Sequence, residues 1–117
     1  MQVIEPRDVE PQAMDMPGAQ GVTMRVLVGP EQGAPAFVMR LFEVAPGGNT
    51  PMHAHDWEHE VFVLQGEVEV ASPTGRLHAH AGMAAYVAPG ETHQFVNIGA
   101  GVLRFLCIIP AQGTCPR

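Results

Sequence analysis

Residues 47–66, with the sequence GGNTPMHAHDWEHEVFVLQG, indicate the fold more directly than any other part of the chain. This stretch places His53 and His55 two positions apart, and His59 follows four positions later. Alternate residues of an extended chain lie on one face, so the three imidazoles share a parity. Two imidazoles on one face of a chain can bind the same ion. The stretch therefore predicts a metal site next to a strand that begins near His59.

A second stretch, GMAAYVAPGETHQFVN, covers residues 82–97. Pro89-Gly90 predicts a turn, and a strand over 93–97 follows it. On that strand His93, Phe95 and Asn97 share one face. His93 is therefore a candidate fourth ligand, supplied by a neighbouring strand.

The first stretch resembles the first motif of the cupin superfamily. That motif is a glycine, five residues, His-x-His, three or four residues, a glutamate, six residues and a glycine. The chain follows it from Gly47 to Gly66, with His59 in the place of the glutamate. The resemblance implies a β-barrel that binds a metal ion.

The second stretch resembles the second cupin motif, which is a glycine, five residues, Pro-x-Gly, two residues, a histidine, three residues and an asparagine. The chain follows it from Gly82 to Asn97, with Ala88 in the place of the first proline. The two motifs occur in the family's order and together span residues 47–97. This paired match is more specific than either motif alone.

Residues 56–66 look like the small single-domain cupins (monocupins) that carry four histidines and bind manganese, although Asp56 stands where a proline is common in that subgroup. The resemblance implies one divalent ion per chain, with manganese as the first expectation and iron as the second. Zinc, nickel and copper are further alternatives, because imidazole also suits them. The expected ligands are the four histidines of the motifs: His53, His55, His59 and His93.

Glu60 is the alternative to His59. It would keep the family's set of three histidines and one glutamate, but it leaves the run to Gly66 one residue short. If Glu60 does not bind the metal, it either orients one of the metal-binding side chains or faces solvent. On the strand over 59–64, His59 and Glu60 point to opposite faces.

The composition excludes several kinds of chemistry. The 117 residues contain no lysine, and the net charge is −6, which argues against a nucleic acid or an anionic membrane as partner. Without lysine there is neither a P-loop lysine nor a Schiff base. The one serine, Ser72, lies in a turn sequence rather than a nucleophile elbow. Six histidines remain, so we expect imidazole chemistry and a small-molecule ligand or substrate.

The spacing of 13 glycines and 11 prolines predicts an all-β domain, a small barrel or double-sheet jelly roll. We expect an irregular N-terminal arm over residues 1–20, a barrel domain over 21–112 and a C-terminal tail over 113–117. The predicted strands cover 24–28, 36–44, 59–65, 67–71, 76–80, 84–88, 93–97 and 102–109.

Several further residues are candidates for the pocket. Arg40 stands in a strand with two apolar faces, so its charge must be paired, lie at an interface or point into the pocket. Trp57 either closes the site or packs against the arm. Phe105, Cys107 and Ile109 share one face of the last strand and are core residues unless they line the pocket. A second His-x-His, His78-Ala79-His80, is interpreted as a pair of surface histidines.

The sequence also suggests a location and an oligomeric state. The start of the chain has no signal-peptide pattern, and Cys107 and Cys115 have no paired spacing, so we expect a cytoplasmic protein with reduced thiols. The proline-rich arm and the two-faced apolar strand over 37–42 suggest a homodimer.

The function that these expectations favour is a manganese- or iron-dependent oxygenase or oxidase, of dioxygenase type, that acts on a small organic molecule. A metal-dependent isomerase or lyase is an alternative, with Glu60, Tyr86 and Cys107 as the evident acid or base groups. An alternative from another class is a non-catalytic module that binds or senses a metal or a small ligand.

Overall fold

The computed structural model describes residues 1–111, which form nine β-strands and two short 3-10 turns and contain no α-helix. The turns are Pro6–Asp8 and Pro30–Gln32. The strands are β1 (Gln12–Ala13), β2 (Gln20–Val28), β3 (Phe37–Asn49), β4 (His59–Gln65), β5 (Glu67–Ser72), β6 (Gly75–His80), β7 (Ala84–Val87), β8 (Gln94–Asn97) and β9 (Leu103–Pro110).

The strands form one nearly closed barrel, which confirms the predicted all-β class. The hydrogen-bonded order is β6-β5-β8-β3-β9-β4-β7, and β2 pairs with β3 while β1 pairs with β2. All the strand pairs are antiparallel. Few strand edges are left open, as expected of a barrel.

Side chains alternate between the barrel interior and the outer surface. On β4 the odd-numbered residues from 59 to 63 are buried and the even-numbered ones are exposed. On β9 the residues Phe105, Cys107 and Ile109 are buried. The ring of Phe105 stacks on Phe42 with centroids 5.2 Å apart and lies 5.1 Å from Phe95. Aromatic packing therefore fills the interior below the histidines.

The strand prediction differs from the structure mainly around β2 and β3. β2 begins at Gln20 rather than at residue 24, and β3 continues to Asn49 rather than ending at 44. Between the pairs Gln20↔Asn49 and Val22↔Val44, the register shifts because residues 45–48 bulge out of the ladder. The sequence Pro46-Gly47-Gly48 looks like a strand end, and only the pairing partner shows that the strand resumes.

Gly48 is required inside this bulge. A Cβ atom there would lie 2.5 Å from the carbonyl oxygen of Gln20 and 2.9 Å from that of Ala45. No side chain fits so close to two backbone oxygens. The glycine therefore allows β2 and β3 to approach each other just before the histidine segment.

Residues 1–20, predicted as an irregular arm, include the first 3-10 turn, strand β1 and the first residue of β2. The backbone N–H of Met14 donates to the carbonyl of Val22 at 3.0 Å. This contact holds the arm against the barrel. The predicted tail over 113–117, with Cys115, lies outside the described residues. No helix in the described part of the chain combines the length and the apolar character that crossing a bilayer requires.

Candidate metal centre

His53 and His93 face each other across a short antiparallel bridge. The backbone N–H of His53 donates to the carbonyl of His93 at 3.0 Å, and the reverse bond measures 2.9 Å. Thr50 strengthens the same junction, because its hydroxyl accepts from the backbone N–H of Phe95 at 2.8 Å. The two imidazoles therefore project from backbone that is fixed on both sides.

Three imidazoles form a compact group. The candidate ligand nitrogens of His53, His55 and His93 lie within 4.8 Å of one another, and this is the only such cluster of three or more potential ligands among residues 1–111. The ring centroids of His53 and His55 are 4.2 Å apart, and those of His53 and His93 are 5.1 Å apart. Two of the three come from the His-x-His sequence, as the alternation of an extended chain predicts.

His59 lies beside this group at the start of β4. It is outside the set of three, but its ring centroid is 4.9 Å from that of His55 and 4.9 Å from that of His93. The side chain is 5% exposed, and its Nε2 is buried without a hydrogen-bond partner in the described structure. A buried polar atom without a partner is costly, and a metal ion would satisfy it.

The opposite nitrogens of two rings are engaged with protein atoms. Nδ1 of His93 lies 2.8 Å from the carbonyl oxygen of Glu91, to which it donates. Nδ1 of His59 lies 3.0 Å from Sγ of Cys107. Histidines that bind metals commonly use their second nitrogen in this way, because the contact fixes the ring and the tautomer.

All four imidazoles favour the neutral form. Burial is the main cause that lowers the pKa of His59 to about 2, and the nearby charge of Arg40 lowers it further. Burial also lowers the pKa of His55 to about 4. The pKa values of His53 and His93 are lowered as well, again chiefly by burial. Neutral imidazole is the form that binds a metal, so the group is ready for a cation at neutral pH.

The four histidines line one cavity inside the barrel. The space open to the centres of water molecules is about 30 Å³, enough for a small number of waters. Its other walls are mainly apolar: Met14, Met16, Phe42, Trp57, Phe95 and Phe105, together with Arg40, Thr50 and Cys107. Among residues 1–111, no aspartate or glutamate lines it.

The predicted pocket residues divide into two groups. Arg40, Trp57, Phe105 and Cys107 line the cavity, whereas Ile109 does not and packs in the core. Arg40 is only 2% exposed. Trp57 stacks on the ring of His55 with centroids 4.6 Å apart and planes within 2°. Its Nε1 is buried and has no acceptor in the described structure.

Sequence reasoning missed Met14, Met16 and Thr50 as lining residues. The two methionines come from the arm, and no local pattern shows that the arm lies over the barrel. Thr50 occupies a fixed position inside the first motif stretch, three residues before His53. Because Thr50 lies between Gly47 and His53 of the motif, the sequence could have indicated that it lies near the site.

Four other candidates point away from the cavity. Glu60 is exposed on the outer face of β4, where it lines a surface depression with Tyr86 and Ile108. Tyr86 is 61% exposed. His78 and His80 are exposed on β6, and Nε2 of His78 lies 3.7 Å from Glu67. The structure therefore brings the four motif histidines together and leaves these side chains outside.

The chain is a small antiparallel barrel in which four histidines line one interior cavity. These features define a class, the barrel proteins with a candidate metal centre. Residues 40–109 match the family described as Cupin domain (Cupin_2). The chain therefore belongs to the cupin family.

Comparison with known proteins gives relatives with different activities. The chain is 33% identical over 88 residues to the 1-methylthio-D-xylulose 5-phosphate methylsulfurylase of Rhodospirillum rubrum. The match covers 68% of this chain and 51% of that protein. The chain thus spans about half the length of this curated relative.

Solved structures resemble the whole barrel. The polyketide cyclase RemF from Streptomyces resistomycificus is 36% identical, with a TM-score of 0.89 over 96% of this chain and 80% of that one. A predicted oxalate decarboxylase from Thermotoga maritima is 26% identical, with a TM-score of 0.81 over 94% and 99%. The fold is thus shared by proteins described with different reactions, so the site must decide the function.

Proposed function

We propose that the chain binds one divalent transition-metal ion through His53, His55, His59 and His93. We also propose that the chain is an enzyme and that this ion takes part in its reaction. The grouping of the imidazoles and the buried Nε2 of His59 support this assignment. Imidazole donors suit manganese, iron, zinc, nickel and copper alike. The resemblance to four-histidine monocupins keeps manganese first and iron second.

Four neutral imidazoles leave the charge of a divalent ion uncompensated, so the bound ion would act as a Lewis acid toward a substrate oxygen. The residues of the cavity walls would control the access of water and the orientation of the substrate. Met14, Met16 and the aromatic rings would limit the water in the cavity to a small volume, which strengthens electrostatic interactions inside. Nε1 of Trp57 is a donor that a substrate oxygen can satisfy, and this hydrogen bond would orient the substrate.

The reaction that the geometry supports best is a non-redox one, in which a carbonyl of a small, largely apolar organic molecule is polarised for ring closure or isomerisation. The single observation that carries this choice is the cavity lining, which is aromatic and thioether-rich and contains no carboxylate. The similarity to a polyketide cyclase over most of the chain agrees with this choice.

An oxygenase or oxidase is the second candidate. A donor set without a carboxylate favours the reduced, divalent state of manganese or iron. An octahedral ion held by four side chains also keeps two positions for ligands from solution. A non-catalytic binding module would instead hold a closed, four-coordinate ion. For the location we propose the cytoplasm, because the two cysteines of the sequence have no paired spacing.

The test loads chelator-treated protein separately with Zn²⁺, Mn²⁺ and Fe²⁺. Each form is mixed with a 1,3-diketone, a probe that binds metals through both oxygens. The absorbance of its enolate and the uptake of oxygen are then followed. His53→Ala is the inactive variant, and His78→Ala is the matched control because it removes a histidine outside the cavity.

The non-redox proposal predicts an enolate signal with all three metals, no oxygen uptake, and loss of the signal in His53→Ala only. Oxygen uptake restricted to the iron or manganese form would establish the second candidate instead. A bound ion without any response to the probe would favour the binding module. If no form retains an ion after desalting, the metal assignment itself fails.

A further inference from the structure

Three buried side chains lie behind the metal-facing side of His59. Arg40 is 2% exposed, Cys107 is 1% exposed and His59 is 5% exposed. Nη2 of Arg40 is 3.0 Å from Sγ of Cys107 and 3.4 Å from Nδ1 of His59. Sγ of Cys107 is 3.0 Å from the same Nδ1. The sulfur thus lies between a guanidinium and an imidazole.

The barrel register places these groups side by side. Arg40 on β3 is the cross-strand partner of Cys107 on β9. Cys107 is in turn the partner of Val61 on β4, and His59 is the next residue of β4 on the same inward face. The contact therefore follows from the sheet itself and not from a mobile loop.

The direction of the hydrogen bonds follows from the donor inventory. A guanidinium has donors only, so Arg40 donates to the sulfur, its nearer partner. A thiol can both accept and donate, so either Nδ1–H of His59 donates to the sulfur or the S–H donates to Nδ1. The first arrangement is favoured, because the second puts a hydrogen on the buried Nε2, which has no acceptor in the described structure. The tautomer with hydrogen on Nδ1 leaves a lone pair on Nε2, the buried atom that lacks a partner in the described structure.

We propose that Cys107 is a positioning residue that holds His59 in the Nδ1–H tautomer, with Nε2 presented to the metal. The role of this tautomer in metal binding rests on the proposed metal centre. The tautomer of His59 itself can be measured without any metal. Arg40 supports this arrangement because its Nη2 donates a hydrogen bond to the sulfur of Cys107.

The test compares Cys107→Ala, which removes the acceptor, with Cys107→Ser, which keeps a small hydrogen-bonding atom there. Ile109→Val is the control, because it removes volume beside His59 on the same face of β9 and leaves the sulfur of Cys107 in place. The first readout is the tautomer of His59 in metal-free protein, from long-range ¹H–¹⁵N correlations of the imidazole. The second is the Kd for Mn²⁺, and circular dichroism establishes that each variant is folded.

We expect Nδ1–H in the natural chain, in Cys107→Ser and in Ile109→Val, and loss of that preference in Cys107→Ala. Mn²⁺ should bind about 10- to 100-fold more weakly to Cys107→Ala and within a few-fold of normal to the other two. An Nε2–H tautomer in the natural chain, or an unchanged tautomer in Cys107→Ala, overturns the proposal. A correct tautomer without Mn²⁺ binding would refute the metal centre and leave the positioning of His59 standing.

Discussion

Acidification should destabilise the metal-free protein, and part of the reason can be calculated from His59. Its pKa is about 2 in the folded chain, against an ordinary value of 6.5 that applies after unfolding. Between these two values the unfolded chain binds a proton that the folded chain does not bind. Stability therefore falls as the pH falls below about 6.5.

The size of the effect follows from the same two values. At about pH 5 an unfolded imidazole gains about 2 kcal/mol from proton binding, and at about pH 7 it gains almost nothing. The folded chain gains nothing from His59 at either pH. We therefore expect His59 to remove about 2 kcal/mol from the free energy of unfolding over this interval. His55, with a pKa of about 4, acts in the same direction.

The assay is urea denaturation of chelator-treated protein at the two pH values, comparing the natural chain with His59→Gln. The variant lacks this proton-binding group, so its loss of stability on acidification should be smaller by about 2 kcal/mol. Ile109→Val is the control, since deleting a buried methylene should cost about 0.5–1.5 kcal/mol equally at both pH values. If the natural chain and His59→Gln lose the same free energy, His59 is not kept neutral by the fold.

Three further substitutions test other parts of the account. Thr50→Val should lower the free energy of unfolding by about 1–3 kcal/mol in urea denaturation, because a buried backbone N–H loses its hydroxyl acceptor; an unchanged midpoint would contradict this. Gly48→Ala should cost about 1–3 kcal/mol, since its Cβ would lie 2.5 Å from the carbonyl oxygen of Gln20, whereas Gly75→Ala, whose Cβ meets nothing within 4 Å, should be nearly neutral in the same assay. Glu60→Gln should leave Mn²⁺ affinity within two-fold in isothermal titration calorimetry, because this side chain faces outward; a large loss would make Glu60 a ligand after all.

Much of the barrel could be predicted because strand parity and turn chemistry are local. The inward set His59, Val61 and Val63 follows from alternation alone, and the structure buries all three. The separation of His59 from Glu60 has the same origin. The bulge over residues 45–48 could not be predicted, since it depends on the pairing of Gln20 with Asn49 across the sheet.

The site was predictable only where short-range spacing determines it. The His-x-His sequence brings His53 and His55 together, and the motif spacing adds His93. The contact between Arg40 and Cys107 connects residues that are 67 positions apart, so no local pattern reveals it. The same is true of Met14 and Met16, which reach the cavity because the arm pairs with β2.

The central claim is that four histidines hold one ion inside the barrel. The most direct measurement is metal analysis of protein purified without chelator, combined with anomalous diffraction at the absorption edge of the metal found. The account predicts one ion per chain, in contact with imidazole nitrogens of His53, His55, His59 and His93. A protein without an ion, or an ion bound at His78 and His80 or at Glu60, would contradict it.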